Sequence, residues 1–190
     1  MDDLALIVIL VVLALVVVAA VLLWQRKQQS RKLQDRFGPE YERTVEDRGG
    51  RREAERELAE RQKEREALEI RDLDPVRQQE YAQRWRDVQT RFVDEPDAAV
   101  AQGHELVREV MHERGYPTDD MERQADLVSV DHPDVVRDYR AANDISVSSR
   151  QGQATTEQLR QAMVHYRSLF SRLLDGAAAP TDTTGERGTR

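Results

Sequence analysis

The side chains that could bind a metal or move a proton fall in three short segments, each containing histidine. His104-Glu105 begins like the zinc-protease motif, in which a second histidine four residues after the first faces the same metal. Position 108 is arginine, however, and the next histidine is His112, two helical turns further on. We interpret His104 and His112 as surface or boundary residues and predict no metal site.

Asp131-His132-Pro133-Asp134 also collects ligand-type groups. Aspartate before proline at a helix start is explained by capping, because a carboxylate accepts hydrogen bonds from the free amides of the first turn and suits the helix dipole. We therefore predict a cap. His165 lies at the edge of the last apolar stripe, where an acid or base could act, but we interpret it as a hydrogen-bonded boundary residue.

Motifs that fix a reaction are absent from the sequence. It contains no Walker loop, no GxGxxG and no GxSxG, and it has no cysteine for thiol chemistry or zinc binding. No spacing selects one pair among the many carboxylates. We predict no catalytic, cofactor-binding or metal-binding residue and a protein that is not an enzyme. An unrecognised hydrolase or transferase, with its domain on either side of a membrane, is the alternative.

The N-terminal segment, residues 1–24, is predicted to be a transmembrane anchor. Between its ends at Leu4 and Trp24 it has no charge, glycine or proline. A helix of this length reaches about 30 Å, the hydrocarbon thickness of a bilayer. A cleaved signal peptide is the competing interpretation, but Asp2 and Asp3 precede the apolar run where such a peptide carries positive charge.

A basic flank follows this segment. The positive-inside rule then places the N-terminus outside and the C-terminal domain in the cytoplasm. We predict a single-pass protein of the cell membrane whose first partner is the lipid bilayer. The flank consists of Arg26, Lys27, Arg31, Lys32 and Arg36.

Residues 25–72 form a charged juxtamembrane connector that we predict to be partly helical. Phe37-Gly38-Pro39 and Gly49-Gly50 interrupt it, because proline removes a backbone donor and glycine weakens a helix. The longest piece runs over residues 51–70.

That longest piece has two possible roles. Ala54, Leu58 and Leu68 make a thin apolar seam, but Arg61 and Arg65 occupy positions where a coiled coil needs apolar side chains. We favour a solvated spacer helix, and keep a homo-oligomer formed through residues 51–70 as the alternative.

Residues 73–176 are predicted to form an all-α domain, a compact bundle of about four main helices and one minor one. Asp74-Pro75 and Thr155 with Gln158 are helix-start signals, and each precedes an apolar stripe with helical spacing. No segment alternates with period two. Residues 177–190 lack large apolar side chains and are predicted to be a disordered tail.

Tyr81, Trp85 and Phe92 form an aromatic stripe on the first helix of this bundle. We interpret it as core, with a peptide-binding groove as the alternative. The net charge of −7 disfavours a broad nucleic-acid surface, and we predict no nucleic-acid partner.

Several short motifs together resemble an uncharacterised family of actinobacterial single-pass membrane proteins. That family has an N-terminal span, a charged connector and a C-terminal helical domain, so the resemblance implies this architecture but no activity. The motifs are Phe37-Gly38-Pro39-Glu40-Tyr41, residues 85–92, Arg114-Gly115-Tyr116-Pro117, Asp131-His132-Pro133-Asp134 and residues 161–166.

These features favour a membrane-anchored adaptor, in which the anchor sets the location and one face of the bundle binds an unidentified cytoplasmic protein. Tethering makes weak binding useful because it raises the effective concentration. A structural oligomer through the connector helix is the second hypothesis.

Overall fold

The computed structural model describes the backbone of residues 2–176 and the side chains of residues 13–176, except 22 and 26. Within this range every regular element is an α-helix. The predicted tail at 177–190 lies outside it. The helices are α1 Asp2–Phe37, α2 Pro39–Arg48, α3 Arg51–Glu66, α4 Pro75–Arg91, α5 Pro96–Arg114, α6 Met121–Asp131, α7 Val136–Arg150 and α8 Thr156–Asp175.

Contacts between Cα atoms divide the chain into two compact units, residues 1–60 and 61–190. In the first unit, α1 ends at Phe37 and α2 at Arg48, so the helix breaks predicted at Gly38 and Gly49 are confirmed. Glu55 of α3 joins the three helices of this unit, because it accepts hydrogen bonds from the hydroxyls of Ser30 on α1 and Tyr41 on α2.

The predicted span, Leu4 to Trp24, lies within α1, and the side chains of residues 4–12 and 22 lie outside the described residues. The apolar side chains described from Leu13 to Trp24 are exposed on all faces of the helix. Among the described residues, no helix is long and apolar enough to cross a bilayer.

The second unit is a bundle built around α5. This helix packs against α4, α7 and α8, while α6 packs against α7. The stripes predicted for these helices form one core, so the all-α bundle of four main helices and one shorter helix is confirmed. Its core residues from α5 and α8 are Ala99, Val100, Leu106, Val107, Val110, Met111, Leu159, Ala162, Met163, Tyr166, Leu169, Phe170 and Leu173.

Arg114, at the end of α5, holds the two ends of this bundle together. Its guanidinium is buried and donates to the carbonyl of Arg71 at 3.2 Å and to that of Leu173 at 2.8 Å. It also donates to Asp72 Oδ1 at 3.0 Å. The segment that enters the bundle and the last turn of α8 therefore meet at one side chain.

The interpretation of α3 as a solvated spacer is wrong. Ala54 and Leu58 are fully buried within one chain. Further along, Arg61 pairs with Asp126 at 3.1 Å and Arg65 donates to Asp131. The two arginines that made a coiled coil unfavourable are held by carboxylates of α6, which are distant in sequence.

Two of the predicted helix starts differ in detail. Asp131 is the last residue of α6 and does not cap α7, which begins at Val136. The Asp131 carboxylate instead accepts hydrogen bonds from Tyr116 and Arg65. Asp120 caps α6, one residue after Asp119, whose capping-box spacing with Glu122 predicts a helix start. The capping predictions at Asp74 and Thr155 are confirmed.

Candidate functional site

A groove on the bundle surface lies between α4 and α8, which both pack on α5. It consists of two adjoining depressions of about 360 and 160 Å³ that share Gln89 and Arg167. We call this surface the α4–α8 groove. Its residues from α4 and the following turn are Ala82, Trp85, Arg86, Gln89 and Phe92, and those from α8 are Arg160, Met163, Val164, Arg167, Phe170, Ser171, Leu174 and Asp175.

The floor of the α4–α8 groove is aromatic. Trp85 stacks on Phe170 with ring centroids 4.7 Å apart and an angle of 21° between the ring planes. Gly103 of α5 lies beneath: a Cβ there would be 3.6 Å from Trp85 and 3.4 Å from Met163 Sδ. A methyl group at this position would make ordinary van der Waals contacts with both neighbouring helices.

The rim of the groove is mainly basic. Arg86 lies on the α4 side, and Arg160 and Arg167 lie on the α8 side, with Asp175 at one end. Arg86 donates to the neutral Gln83 at 2.6 Å and Arg160 pairs with Glu157 at 2.6 Å. In the described part of the chain, Arg167 has no hydrogen-bond or ion-pair partner. The rim therefore presents uncompensated positive charge beside an apolar floor.

The interpretation of the aromatic stripe as core is confirmed for two of its three residues. Tyr81 and Trp85 are buried in the core, as predicted, whereas Phe92 is half-buried and lines the groove. The Tyr81 hydroxyl donates to Glu113 at 2.6 Å, and burial together with this carboxylate raises the pKa of Tyr81 to about 12. One helix thus supplies core aromatics and the wall of a groove.

The structure separates the four histidines. His104 is buried, which makes its interpretation as a surface or boundary residue wrong, whereas His112 is exposed. His132 is buried, and burial lowers its pKa. The half-buried His165 has Nδ1 3.4 Å from Asp138 Oδ2. Across the described residues, no group of three or more histidine and carboxylate side chains is arranged to hold a metal ion.

The predicted membrane flank is open to solvent where it is described. Lys27, Arg31, Lys32 and Arg36 are all exposed on the second half of α1, and the side chain of Arg26 lies outside the described residues.

Sequence reasoning found the groove aromatics but missed its basic rim. Arg160 and Arg167 are seven residues apart on α8, which places them on one face of the helix, on either side of Val164. That spacing was a usable signal. The contribution of Arg86 could not be found this way, because it depends on how α4 packs beside α8.

Comparisons of the chain with protein-family models, with curated proteins and with solved structures found no match.

Proposed function

We propose that this protein is a membrane-anchored adaptor whose helical domain binds a cytoplasmic protein through the α4–α8 groove. The observation that carries the proposal is the combination in that groove of an aromatic floor with a rim of three arginines. Aromatic and arginine side chains are the residue types that most often dominate protein interfaces.

The anchoring part of the proposal rests on α1. An α-helix that is apolar on every face needs an apolar environment on every face. The apolar side chains described from Leu13 to Trp24 have no protein cover, and Trp24 is 63% exposed at the end of the run. A bilayer supplies that environment, and a tryptophan at its interface keeps the indole N–H in contact with water.

Orientation follows from the basic flank, whose described members Lys27, Arg31, Lys32 and Arg36 are exposed and able to meet anionic headgroups. Basic residues close to a span are retained on the cytoplasmic side. We therefore place the bundle in the cytoplasm.

The partner is an amphipathic helix with acidic residues beside its apolar stripe. Helices bind grooves by inserting an apolar stripe, and the floor of Trp85, Met163 and Phe170 accepts such a stripe. Acidic flanks would then meet Arg86 and Arg167. Complementary charges of this kind set specificity and the rate of association more than affinity.

The test uses the full chain in lipid nanodiscs and two synthetic peptides with the same apolar stripe, one with glutamate flanks and one with lysine flanks. A Trp24→Phe variant leaves Trp85, in the groove floor, as the single fluorescent reporter. We expect the acidic peptide to change the Trp85 emission and to bind at least tenfold more tightly than the basic one.

The rim variant Arg86→Glu with Arg167→Glu is expected to reverse this preference. Arg137→Glu with Arg172→Glu changes the charge equally, away from the groove, and leaves the preference intact. Equal binding of both peptides to the unaltered protein would contradict the proposed partner. An equal change of peptide preference in the rim variant and in the control variant would contradict it as well.

Topology is tested separately. An epitope placed after Arg190 in cells expressing the full chain should resist protease in intact protoplasts and be digested after lysis. Digestion while the protoplasts remain sealed would place the bundle outside and overturn the cytoplasmic assignment.

The structural oligomer is less well supported. Of its three seam residues, Ala54 and Leu58 are already buried within one chain, and Leu68 is half-buried. An oligomer through residues 51–70 would need other side chains of that segment, most of which are charged.

A further inference from the structure

A second concave site lies on the bundle, formed by α5, α6, α7 and the loop between α5 and α6. It is a cavity of about 400 Å³, within the range of small-molecule sites. Its lining is mainly polar, with Met121 and Val147 as the apolar members. The polar members are His104, Glu105, Arg108, Thr118, Asp119, Gln124, Tyr139, Asn143 and Arg150.

His104 is the buried donor of this cavity. The residue is 7% exposed, and its Nδ1 lies 2.9 Å from the hydroxyl of Tyr166. Burial raises the pKa of Tyr166, which keeps this hydroxyl protonated, and Ser146 hydrogen-bonds to the same oxygen. The Tyr166 hydroxyl therefore donates to Nδ1, and the neutral imidazole carries its proton on Nε2. The Glu105 carboxylate, 4.0 Å from Nε2, favours the same tautomer.

Three other polar side chains of the lining already have hydrogen-bond partners. Tyr139 donates to Gln124 Oε1 at 2.7 Å, and Gln124 donates to the carbonyl of Pro117 at 3.2 Å. Arg108 donates to the carbonyl of Thr118 at 2.7 Å. These bonds hold the walls in place and leave His104 Nε2 as a donor for whatever enters.

Charge on the lining is unevenly compensated. Glu105 lies 3.4 Å from Arg108, and Asp119 lies 3.7 Å from Arg123. Arg150, at the end of α7, has no hydrogen-bond or ion-pair partner anywhere in the described structure. The cavity thus has one free cation beside a buried N–H donor.

We infer that this cavity binds a small polar monocarboxylate, with the carboxylate on Arg150 and a hydroxyl or carbonyl oxygen accepting from His104 Nε2. The guanidinium fork matches the two oxygens of a carboxylate. Asn143, half-buried on the same helix, offers a further donor and acceptor.

A singly charged ligand fits better than a phosphate. Glu105 and Asp119 lie on the same lining, and a second negative charge would meet their repulsion with only one free cation to balance it. The proposed function does not depend on this cavity, because the α4–α8 groove shares none of its residues.

Lactate is the probe for the test, and the imidazole groups are the reporters. The chain has four histidines, so histidine-labelled protein in nanodiscs gives four titrating signals by NMR. Burial, assisted by Arg108 and Arg150 and opposed by Glu105, lowers the pKa of His104. A bound carboxylate offsets the two arginines, so lactate should raise the pKa of His104. His132 is equally buried outside the cavity and should not respond.

Arg150→Gln should weaken lactate binding at least tenfold, because a charge-assisted hydrogen bond is lost. Arg137→Gln, exposed on the same helix, is the matched control and should bind as the unaltered protein does. Asn143→Asp is a second, independent variant for the case that Arg150→Gln folds poorly. It places a negative charge on the lining and should abolish lactate binding.

Three outcomes would overturn the inference. The first is a His104 pKa that does not change with lactate, and the second is an equal change at His132. The third is an equal change of the His104 pKa with inorganic phosphate at the same concentration, which would mean that the cavity binds anions in general and does not select a monocarboxylate.

Discussion

At the residue scale, Glu113 of α5 shows how one carboxylate ties two helices together. It accepts from Arg77 at 2.6 Å and from Tyr81 at 2.6 Å, both on α4. These donors, Arg77 foremost, lower the pKa of Glu113 to about 2. The folded protein binds the ionised form of Glu113 more strongly than the unfolded chain does. Ionised Glu113 therefore makes its full contribution to stability above pH 4.5, and this contribution is lost as the pH falls from about 4.5 to about 2.

Glu113→Gln should lower the free energy of unfolding at pH 7 by about 1 kcal/mol, because two hydrogen bonds to a charged group become neutral. It should also reduce the loss of stability between pH 4.5 and 2, measured by chemical denaturation across that range. Glu109→Gln, which removes the exposed pair with Arg84, is the control and should change stability by less than about 0.5 kcal/mol. Parallel pH profiles for the two variants would contradict the assignment.

Gly115 combines a left-handed backbone conformation with a close approach to another segment. It ends α5 with φ +101°, and a Cβ there would lie 2.7 Å from the carbonyl oxygen of Glu69. Gly115→Ala should therefore cost at least about 2 kcal/mol in thermal or chemical denaturation, from strain and from the close approach together.

Gly152 separates these two effects. It has φ +69° but no neighbouring atom within 4 Å of a Cβ position. Gly152→Ala should cost only about 1 kcal/mol, the penalty of a left-handed conformation for alanine. If the two variants lose equal stability, the contact with Glu69 contributes nothing.

At the scale of elements, α3 behaves as part of the fold rather than as a spacer. Leu58 is fully buried, so Leu58→Ala should reduce the free energy of unfolding by about 2–4 kcal/mol through lost burial and a residual cavity. The exposed Val93→Ala is the control, expected within about 0.5 kcal/mol of the unaltered protein. A neutral Leu58→Ala would restore the interpretation of α3 as a solvated helix.

The helix at the centre of the bundle carries an unfavourable residue. Gly103 lies inside α5, where glycine is less stable than alanine by up to about 1 kcal/mol, and a methyl group would meet its neighbours at ordinary contact distances of 3.4–3.7 Å. Gly103→Ala should therefore stabilise the protein by about 0.5–1 kcal/mol in thermal denaturation. A loss of stability would mean that Met163 and Trp85 have no freedom to accept the methyl group.

Helices were predictable from the sequence wherever local signals determine them. Asp74-Pro75, Gly115 and Thr155 mark helix ends through hydrogen bonds that span a few residues. The role of Asp131 was not predictable, because its partners Arg65 and Tyr116 are brought to it by folding. The same holds for both candidate sites, since each combines side chains that are far apart in the sequence.

At the scale of the whole molecule, the apolar stretch of α1 and the bundle perform separable roles in the proposed function. Deletion of residues 2–24 should move the protein from the membrane fraction to the supernatant after ultracentrifugation of lysed cells, because the tether is gone. The full chain should stay with membranes through a high-salt wash, which removes proteins held by charge alone. Release of the full chain by salt would leave the basic flank, not a span, as its attachment.

Arg114 has a mechanical consequence for such a molecule. Asp72, just before α4, and Leu173, in the last turn of α8, are both bonded to this one guanidinium. A pull applied between residues 72 and 173 would therefore load the Arg114 contacts, which bridge these two residues directly. For the same reason, the bundle can be inserted into a surface loop of a host protein without forcing the two ends of that loop apart.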